Sequence, residues 1–252
     1  MDDFSTLDAN TIGVENLINA TDRVDSLERI IFASSLLVCP NGYVPKSDTE
    51  FNPPNLYGKS KVIGEKLIRE SNMKCSWVIV RPTSVWGPWF GYSYRTFFRL
   101  VDRGLYVQPG SKQIIKPLTY VGNTVYMLQK LLLYQNNTVN GSTYYLGDYP
   151  ENSIQDWANL IRKNIGKGKI FVFPIVILRF LAMIGDLMQK VGWREPPFNT
   201  FRLNNMLTGA RYPIEKTEEI IGPLPFTFEE GIRETLDWMY EHKLVIHKTV
   251  KL

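Results

Sequence analysis

Short apolar runs alternating with segments of helical period predict an α/β fold built on a parallel sheet. Three observations carry that reading. Arg29 to Ala33 and Cys75 to Val80 are apolar runs of strand length, suited to strands covered on both faces. Between them a helix runs from about Tyr57 to Glu70, giving the strand–helix–strand order that a parallel crossover requires. At 252 residues and 44% hydrophobic, the chain can bury one sizeable core beside a smaller second lobe.

Taken in order, Asn10 to Ala20 shows helical periodicity through Ile12, Leu17 and Ile18. The first strand continues into hydroxyls, as Ile30-Ile31-Phe32-Ala33-Ser34-Ser35. Pro40 to Pro54, rich in Pro, Asn and Asp, reads as a loop, and the second strand is expected to stop at Arg81-Pro82. Helices follow over Tyr94 to Gly104 and Gly122 to Tyr134, then a strand over Ser142 to Gly147 and a helix over Ile154 to Ile165. The most apolar stretch, Ile170 to Met188, contains Pro174, Arg179 and Asp186. A bilayer span needs ~20 apolar residues with few charges, so no membrane span is expected here. The reading is a strand followed by a buried or amphipathic helix, with membrane-surface contact the lesser alternative. Thr227-Phe228-Glu229-Glu230 fits a capping box that opens a helix through Trp238 and Tyr240. There is no internal repeat and no low-complexity segment.

The formal charge of +4 is modest, with Lys and Arg read as spread along the chain, so no nucleic-acid footprint is expected. Cys39 and Cys75 offer neither a disulfide framework nor metal spacing, and suit a reducing cytosol. His242 and His247 both fall near the C-terminus, leaving no basis for zinc binding or His-based catalysis. Met1-Asp2-Asp3-Phe4 is acidic and lacks the basic-then-apolar layout of a signal peptide, so a cytoplasmic location is expected.

The chemistry concentrates in Asn55-Leu56-Tyr57-Gly58-Lys59-Ser60-Lys61. Four residues apart on a helix, Tyr57 and Lys61 share a face and can serve one reacting group. An ammonium beside a phenol favours the phenolate, which suits acid/base work. Tyr-x-x-x-Lys alone is a weak signal, since an exposed helix with a half-buried Tyr also produces it. Its context is more specific. The helix follows a strand ending in Ser34-Ser35 and precedes a strand leading into Arg81-Pro82-Thr83-Ser84-Val85-Trp86-Gly87-Pro88.

In that order, these segments resemble the extended short-chain dehydrogenase/reductase superfamily, the NAD-dependent epimerase/dehydratase family, from about Asn10 to the capping-box helix. The resemblance implies a Rossmann-type doubly wound parallel sheet with a smaller mixed substrate lobe. Residues 1–90 would form the C-terminal half of the dinucleotide-binding domain. Residues 91–252 would be mainly the substrate lobe, with some segments returning to the sheet. It implies Tyr57 as catalytic acid/base, Lys61 as its electrostatic partner and ligand of the nicotinamide ribose, and Ser35, rather than Ser34, as the hydroxyl on the substrate oxygen. Pro82 and Thr83 would approach the nicotinamide, Ser84 would face the substrate, and Lys116 and Arg211 are candidates for its diphosphate. The cofactor would be NAD or NADP. The reaction would be hydride transfer at a carbinol of a nucleotide sugar, by an epimerase or oxidoreductase.

Departures qualify this. Dehydratases of the family place Asp-Glu after the catalytic hydroxyl; Leu36-Leu37 stand here and move no proton, so dehydration is disfavoured. Val38-Cys39-Pro40 replaces Val-Tyr-Gly, and Cys39 reads as a small buried apolar residue. Lys116-Pro117-Leu118-Thr119-Tyr120-Val121-Gly122-Asn123 replaces a segment that often begins with Arg and ends Tyr-Val-Asp-Asp. No Gly-rich turn follows a strand, so by comparison with the family about 80 residues carrying roughly four strands are expected to be missing. The chain alone is then expected to hold the cofactor weakly and to bare an apolar edge at Arg29 to Ala33, inviting a homodimer or a complementing N-terminal half. Two alternatives stand beside the nucleotide-sugar reading: a dehydrogenase of a sterol-like alcohol, and a truncated, inactive fragment or split subunit.

Overall fold

The computed structural model describes residues 4–193, 196 and 198–250, so the acidic opening Met1-Asp2-Asp3 lies outside the described residues. Along the chain the elements are α1 (Ile12–Thr21), β1 (Arg29–Ala33), α2 (Leu56–Glu70), β2 (Ser76–Pro82), β3 (Ser84–Trp86), α3 (Tyr92–Asp102), β4 (Val107–Pro109) and β5 (Leu118–Tyr120). They continue as α4 (Val121–Leu132), β6 (Ser142–Leu146), α5 (Ile154–Asn164), β7 (Phe171–Phe173), α6 (Ile175–Lys190), α7 (Thr200–Leu207), α8 (Glu215–Ile221) and α9 (Phe228–Glu241). They fall into two compact units. The first gathers Met1–Val85, Pro117–Pro150 and Ala210–Phe226; the second gathers Trp86–Lys116, Glu151–Gly209 and Thr227–Leu252.

A parallel sheet in the order β1-β2-β6 organises the first unit. Central β2 is apolar throughout Val78-Ile79-Val80, and the pleat sends these side chains to opposite faces. Val78 and Val80 pack with Met127, Leu131, Leu146 and Ile221 on the α4/α8 side. Ile79 packs with Phe32, Ile68 and Ile18 on the α1/α2 side. Helices thus cover both faces, which explains why the strands lack polar alternation.

β2 does not stop at Val80. It runs through Arg81 and Pro82, in register with Tyr145 and Leu146 of β6. Two physical reasons account for the difference. Val80 uses its carbonyl towards β1, accepting from Ser34 N–H at 2.8 Å, so Pro82, two residues on, turns its missing N–H to the side where β1 has already ended. Arg81 falls on the same face as Ile79 and meets Glu65 of α2. Its Nε and Nη2 donate to Glu65 Oε1 and Oε2, both at 2.8 Å. Nη1 donates to the Tyr145 hydroxyl at 2.6 Å, and Nη2 also to Asp48 O at 2.6 Å. Both side chains are shut off from solvent. Burial presses the Arg81 pKa down, but the Glu65 hydrogen bonds and charge outweigh it and hold the guanidinium above its ordinary value.

α2 also sits unusually close to the chain that follows β1. A Cβ on Gly58 would lie 2.1 Å from Leu37 O, a backbone atom unable to move aside cheaply. Elsewhere in this unit the buried Asp148 accepts from Thr119 Oγ1 (3.1 Å), Tyr120 N (2.9 Å) and Asn123 Nδ2 (3.0 Å). Asn123 in turn exchanges two hydrogen bonds with the Phe226 backbone. Burial raises the Asp148 pKa to about 6 against the pull of those three donors.

The second unit is built on aromatic packing. Trp86 lies against Phe98, Trp157 and Phe228, and all but Phe228 are fully buried. Buried Asp102 accepts from the backbone N–H groups of Ile246 and His247, fastening the C-terminal segment to α3. The Thr227/Glu230 capping box opens α9 as its sequence implies. Ile170 to Met188 departs from expectation. It does form a strand and a helix, but on α6 only Leu178, Ala182 and Gly185 are buried, and large apolar residues cover most of the remainder.

Two predictions follow from the packing. Gly58→Ala should gain about 1 kcal/mol of helix propensity yet lose more to the clash with Leu37 O, for a net destabilisation of roughly 1–2 kcal/mol in urea unfolding. The second concerns Asp148. With a folded pKa of about 6 against about 3.9 unfolded, its contribution is full below pH ~4 and lost as pH rises through ~6, about 3 kcal/mol in all. Asp148→Asn should flatten the stability profile across that window.

Candidate active site

The candidate residues of the first unit gather where β1 and β2 end. α2 begins there because Asn55 Oδ1 accepts the Gly58 N–H at 2.8 Å, an N-cap that places Tyr57 in the first turn. Lys61 lies one turn on. Its Nζ donates to Ala33 O at 2.9 Å and sits 5.8 Å from the Tyr57 ring centroid. That carbonyl faces away from β2, since backbone groups alternate along β1 and Ser34 is the residue that bonds Val80. Burial holds the Lys61 pKa below its ordinary value. Tyr57 remains 37% exposed, so its phenol is open to a small molecule.

The two serines have separate tasks. Ser34 is buried and donates its hydroxyl to Glu65 Oε1 at 2.5 Å, inside the Arg81 network. Ser35 caps the 3-10 turn Leu36–Val38, its Oγ accepting the Leu37 N–H at 3.1 Å. Accepting that bond leaves the Ser35 proton available for donation. Leu36, standing where a dehydratase would carry an acid, packs against Tyr145 and Tyr212 instead. Cys39 is buried, as its apolar reading implies.

Thr83 is held by its N–H to Leu146 O at 2.8 Å, and Ser84 by its N–H to Pro117 O at 3.0 Å. The Thr83 hydroxyl is buried, and among the described residues it has no hydrogen-bond partner. Pro82 is half-buried beside it and Arg211 is exposed, also in the first unit. Lys116 belongs to the second unit. Its Nζ donates to Asn205 O at 2.6 Å and to Thr208 O, satisfying the C-terminal carbonyls of α7, and burial lowers its pKa.

Reading the sequence by motif missed Glu65 and the role of Arg81. The signal was available. Tyr57, Lys61, Glu65 and Arg69 recur every four residues, forming one stripe of α2, and Arg81 is a lone charge in an apolar strand. Arg69 completes the stripe by donating to Thr143 Oγ1 of β6 at 2.6 Å.

Residues 2–147 match the NAD dependent epimerase/dehydratase family. The chain is 34% identical over 240 residues to a UDP-glucose 4-epimerase of Vibrio cholerae, covering 90% of this chain and 68% of that protein. It is 25% identical over 245 residues to an N-acetyl-alpha-D-glucosaminyl-diphospho-ditrans,octacis-undecaprenol 4-epimerase of Escherichia coli O157:H7, covering 93% and 72%. In fold it is similar to the crystal structure of UDP-glucuronic acid 4-epimerase from Bacillus cereus in complex with NAD, with a TM-score of 0.67 at 18% identity, covering 98% of this chain and 72% of that one. A parallel sheet with helices on both faces, Tyr57 and Lys61 on one helix face at its strand ends, and a match over more than half of the sequence make this chain a member of the NAD dependent epimerase/dehydratase family.

Proposed function

We propose that this chain carries the catalytic residues of a nucleotide-sugar epimerase site, in which Tyr57 is the acid/base, Lys61 its electrostatic partner and Ser35 the hydroxyl on the substrate oxygen. The observation that carries the reading is the pairing of Tyr57 and Lys61 at the end of β1, with the phenol exposed and the ammonium fixed on Ala33 O. The family's cofactor fits the residues present at its nicotinamide–ribose end. Thr83 offers a buried, unpartnered hydroxyl, and Lys61 keeps further N–H donors after bonding Ala33 O. NAD, when bound, supplies the hydride acceptor. Tyr57 acts as base in its phenolate form, whose charge the Lys61 ammonium attracts, and becomes the neutral phenol as it takes the carbinol hydroxyl proton. Ser35 donates a hydrogen bond to the same substrate oxygen while Leu37 N–H fixes its Oγ. Ser84 and Arg211 remain substrate-side candidates in the first unit. The substrates named for the relatives, UDP-sugars among them, support a sugar diphosphate.

A second reading has its own support. The undecaprenol-linked substrate named for the Escherichia coli relative and the apolar surface of α6 favour a substrate with a bulky apolar part, whether a lipid-linked sugar or the sterol-like alcohol.

Three substitutions test the roles in protein that binds cofactor. Tyr57→Phe should lower turnover of UDP-glucose by roughly 10²–10⁴-fold with cofactor affinity nearly unchanged. Ser35→Ala should cost on the order of 10²-fold. Lys61→Met should lower both rate and cofactor affinity. Near wild-type turnover by Tyr57→Phe would overturn the assignment. A separate expectation concerns β1, which has a strand neighbour on one side only among the described residues. We take its open edge as the seat of an added strand, from a second copy or a complementing chain. Light scattering of the chain by itself should give a multiple of its mass, and a clean monomer counts against a second copy in that place.

A further inference from the structure

The helix α6 has three sectors. At about 100° per residue, Leu178, Ala182 and Gly185 form one stripe, and all three are buried. The stripe packs on α7 and β4, through Leu203, Leu207 and Val107. Gly185 is required there, since a Cβ would lie 1.8 Å from Phe198 O. Arg179, Asp186 and Lys190 fall together beside that stripe. The remaining arc, about 160° wide by the same geometry, should be polar on a helix facing water. It is apolar instead: Val176, Phe180, Met183 and Leu187 are 72%, 64%, 65% and 61% exposed. β7 extends the surface with exposed Phe171 and Val172, and Trp193 lies just beyond the helix, half exposed.

The charge around this surface is one-sided. From Arg162 to Arg202 the sequence holds eight Lys or Arg against two Asp or Glu, while the whole chain has a formal charge of only +4. The rest of the chain is therefore net acidic, and the chain's net positive charge lies in this segment although its basic residues read as spread. Lys167 and Lys169 precede β7, and Arg179 and Lys190 edge the apolar arc of α6; all four are exposed. Among the described residues no helix is long and apolar enough to cross a membrane. α6 has 16 residues, about 24 Å of helix, short of a ~30 Å hydrocarbon core.

We propose that the α6–β7 face docks on an anionic lipid bilayer, with Phe180, Met183 and Leu187 entering the interface and Lys169, Arg179 and Lys190 meeting lipid phosphates. The charge pattern selects this occupant over a second copy, because two such faces brought together would oppose like charges. An apolar helix face edged by Lys and Arg is what lies in an interfacial plane, and the binding adds buried apolar area to attraction for anionic headgroups. This holds whichever substrate the first unit takes.

The test is flotation of the full chain with vesicles of phosphatidylcholine alone and with vesicles containing about one third phosphatidylglycerol. The chain should float with the anionic vesicles, with at least roughly tenfold weaker binding to the neutral ones or at ~1 M salt. Phe180→Ser/Met183→Ser/Leu187→Ser alters only exposed positions and should abolish flotation while the circular dichroism stays unchanged. Arg179→Glu/Lys190→Glu should remove the preference for anionic vesicles. No flotation of the wild-type chain with either vesicle overturns the proposal. So does a solution dimer that the serine variant dissociates without any vesicle binding, which would assign the face to a second copy.

Discussion

The buried pair between Arg81 and Glu65 is the contact on which the first unit is arranged. Arg81 comes from the central strand and Glu65 from the middle of α2, and each would be costly in the core without the other. The fork geometry of the guanidinium fixes rotation as well as distance, because both carboxylate oxygens are engaged. The same guanidinium reaches β6 through Tyr145 and the long loop through Asp48. Ser34 adds the end of β1 to the network. One charge pair thereby holds α2, the three strands and the loop in a single arrangement, and it specifies geometry more than it adds stability.

That arrangement sets the phase of α2. With Glu65 turned to the sheet, Lys61 one turn earlier comes to the end of β1 and Tyr57 a further turn towards solvent. The close approach at Gly58 and the Asn55 cap fix the same helix at its start. The chemistry at the strand ends is therefore positioned by groups that take no part in it, and the exposed phenol is carried on a helix anchored at both ends.

Much of this was legible from the chain. β1 and α2 stand where the apolar run and the helical period place them, because each is bounded by strong punctuation: hydroxyls after Ala33, and Pro53-Pro54 before the Asn55 cap. The end of β2 was not legible, since a strand normally rejects both a charge and a proline. What permits them is a carboxylate 16 residues away and a neighbouring strand that has already ended, neither of which is local. Ser35 and Ser34 are alike by residue type; the family resemblance singles out Ser35, but that Ser34 is spent on Glu65 is a tertiary contact that no local pattern announces. α7 and α8 are too short for periodicity to reveal. On α6 the pattern showed a helix but not its surroundings, because an apolar stretch reads alike whether its outer face meets protein or something else.

The claim that α2 is seated on the sheet by a buried charge pair is tested most directly by a double-mutant cycle with Glu65→Leu and Arg81→Met, read by urea unfolding. Glu65→Leu leaves a buried guanidinium without its carboxylate, and Arg81→Met leaves buried Glu65 with only the longer 3.5 Å ion pair to Arg69. Each should therefore cost roughly 3–5 kcal/mol, whereas the double should cost several kcal/mol less than their sum. Single losses below about 1 kcal/mol that simply add would contradict it, and would mean that apolar packing alone positions the helix.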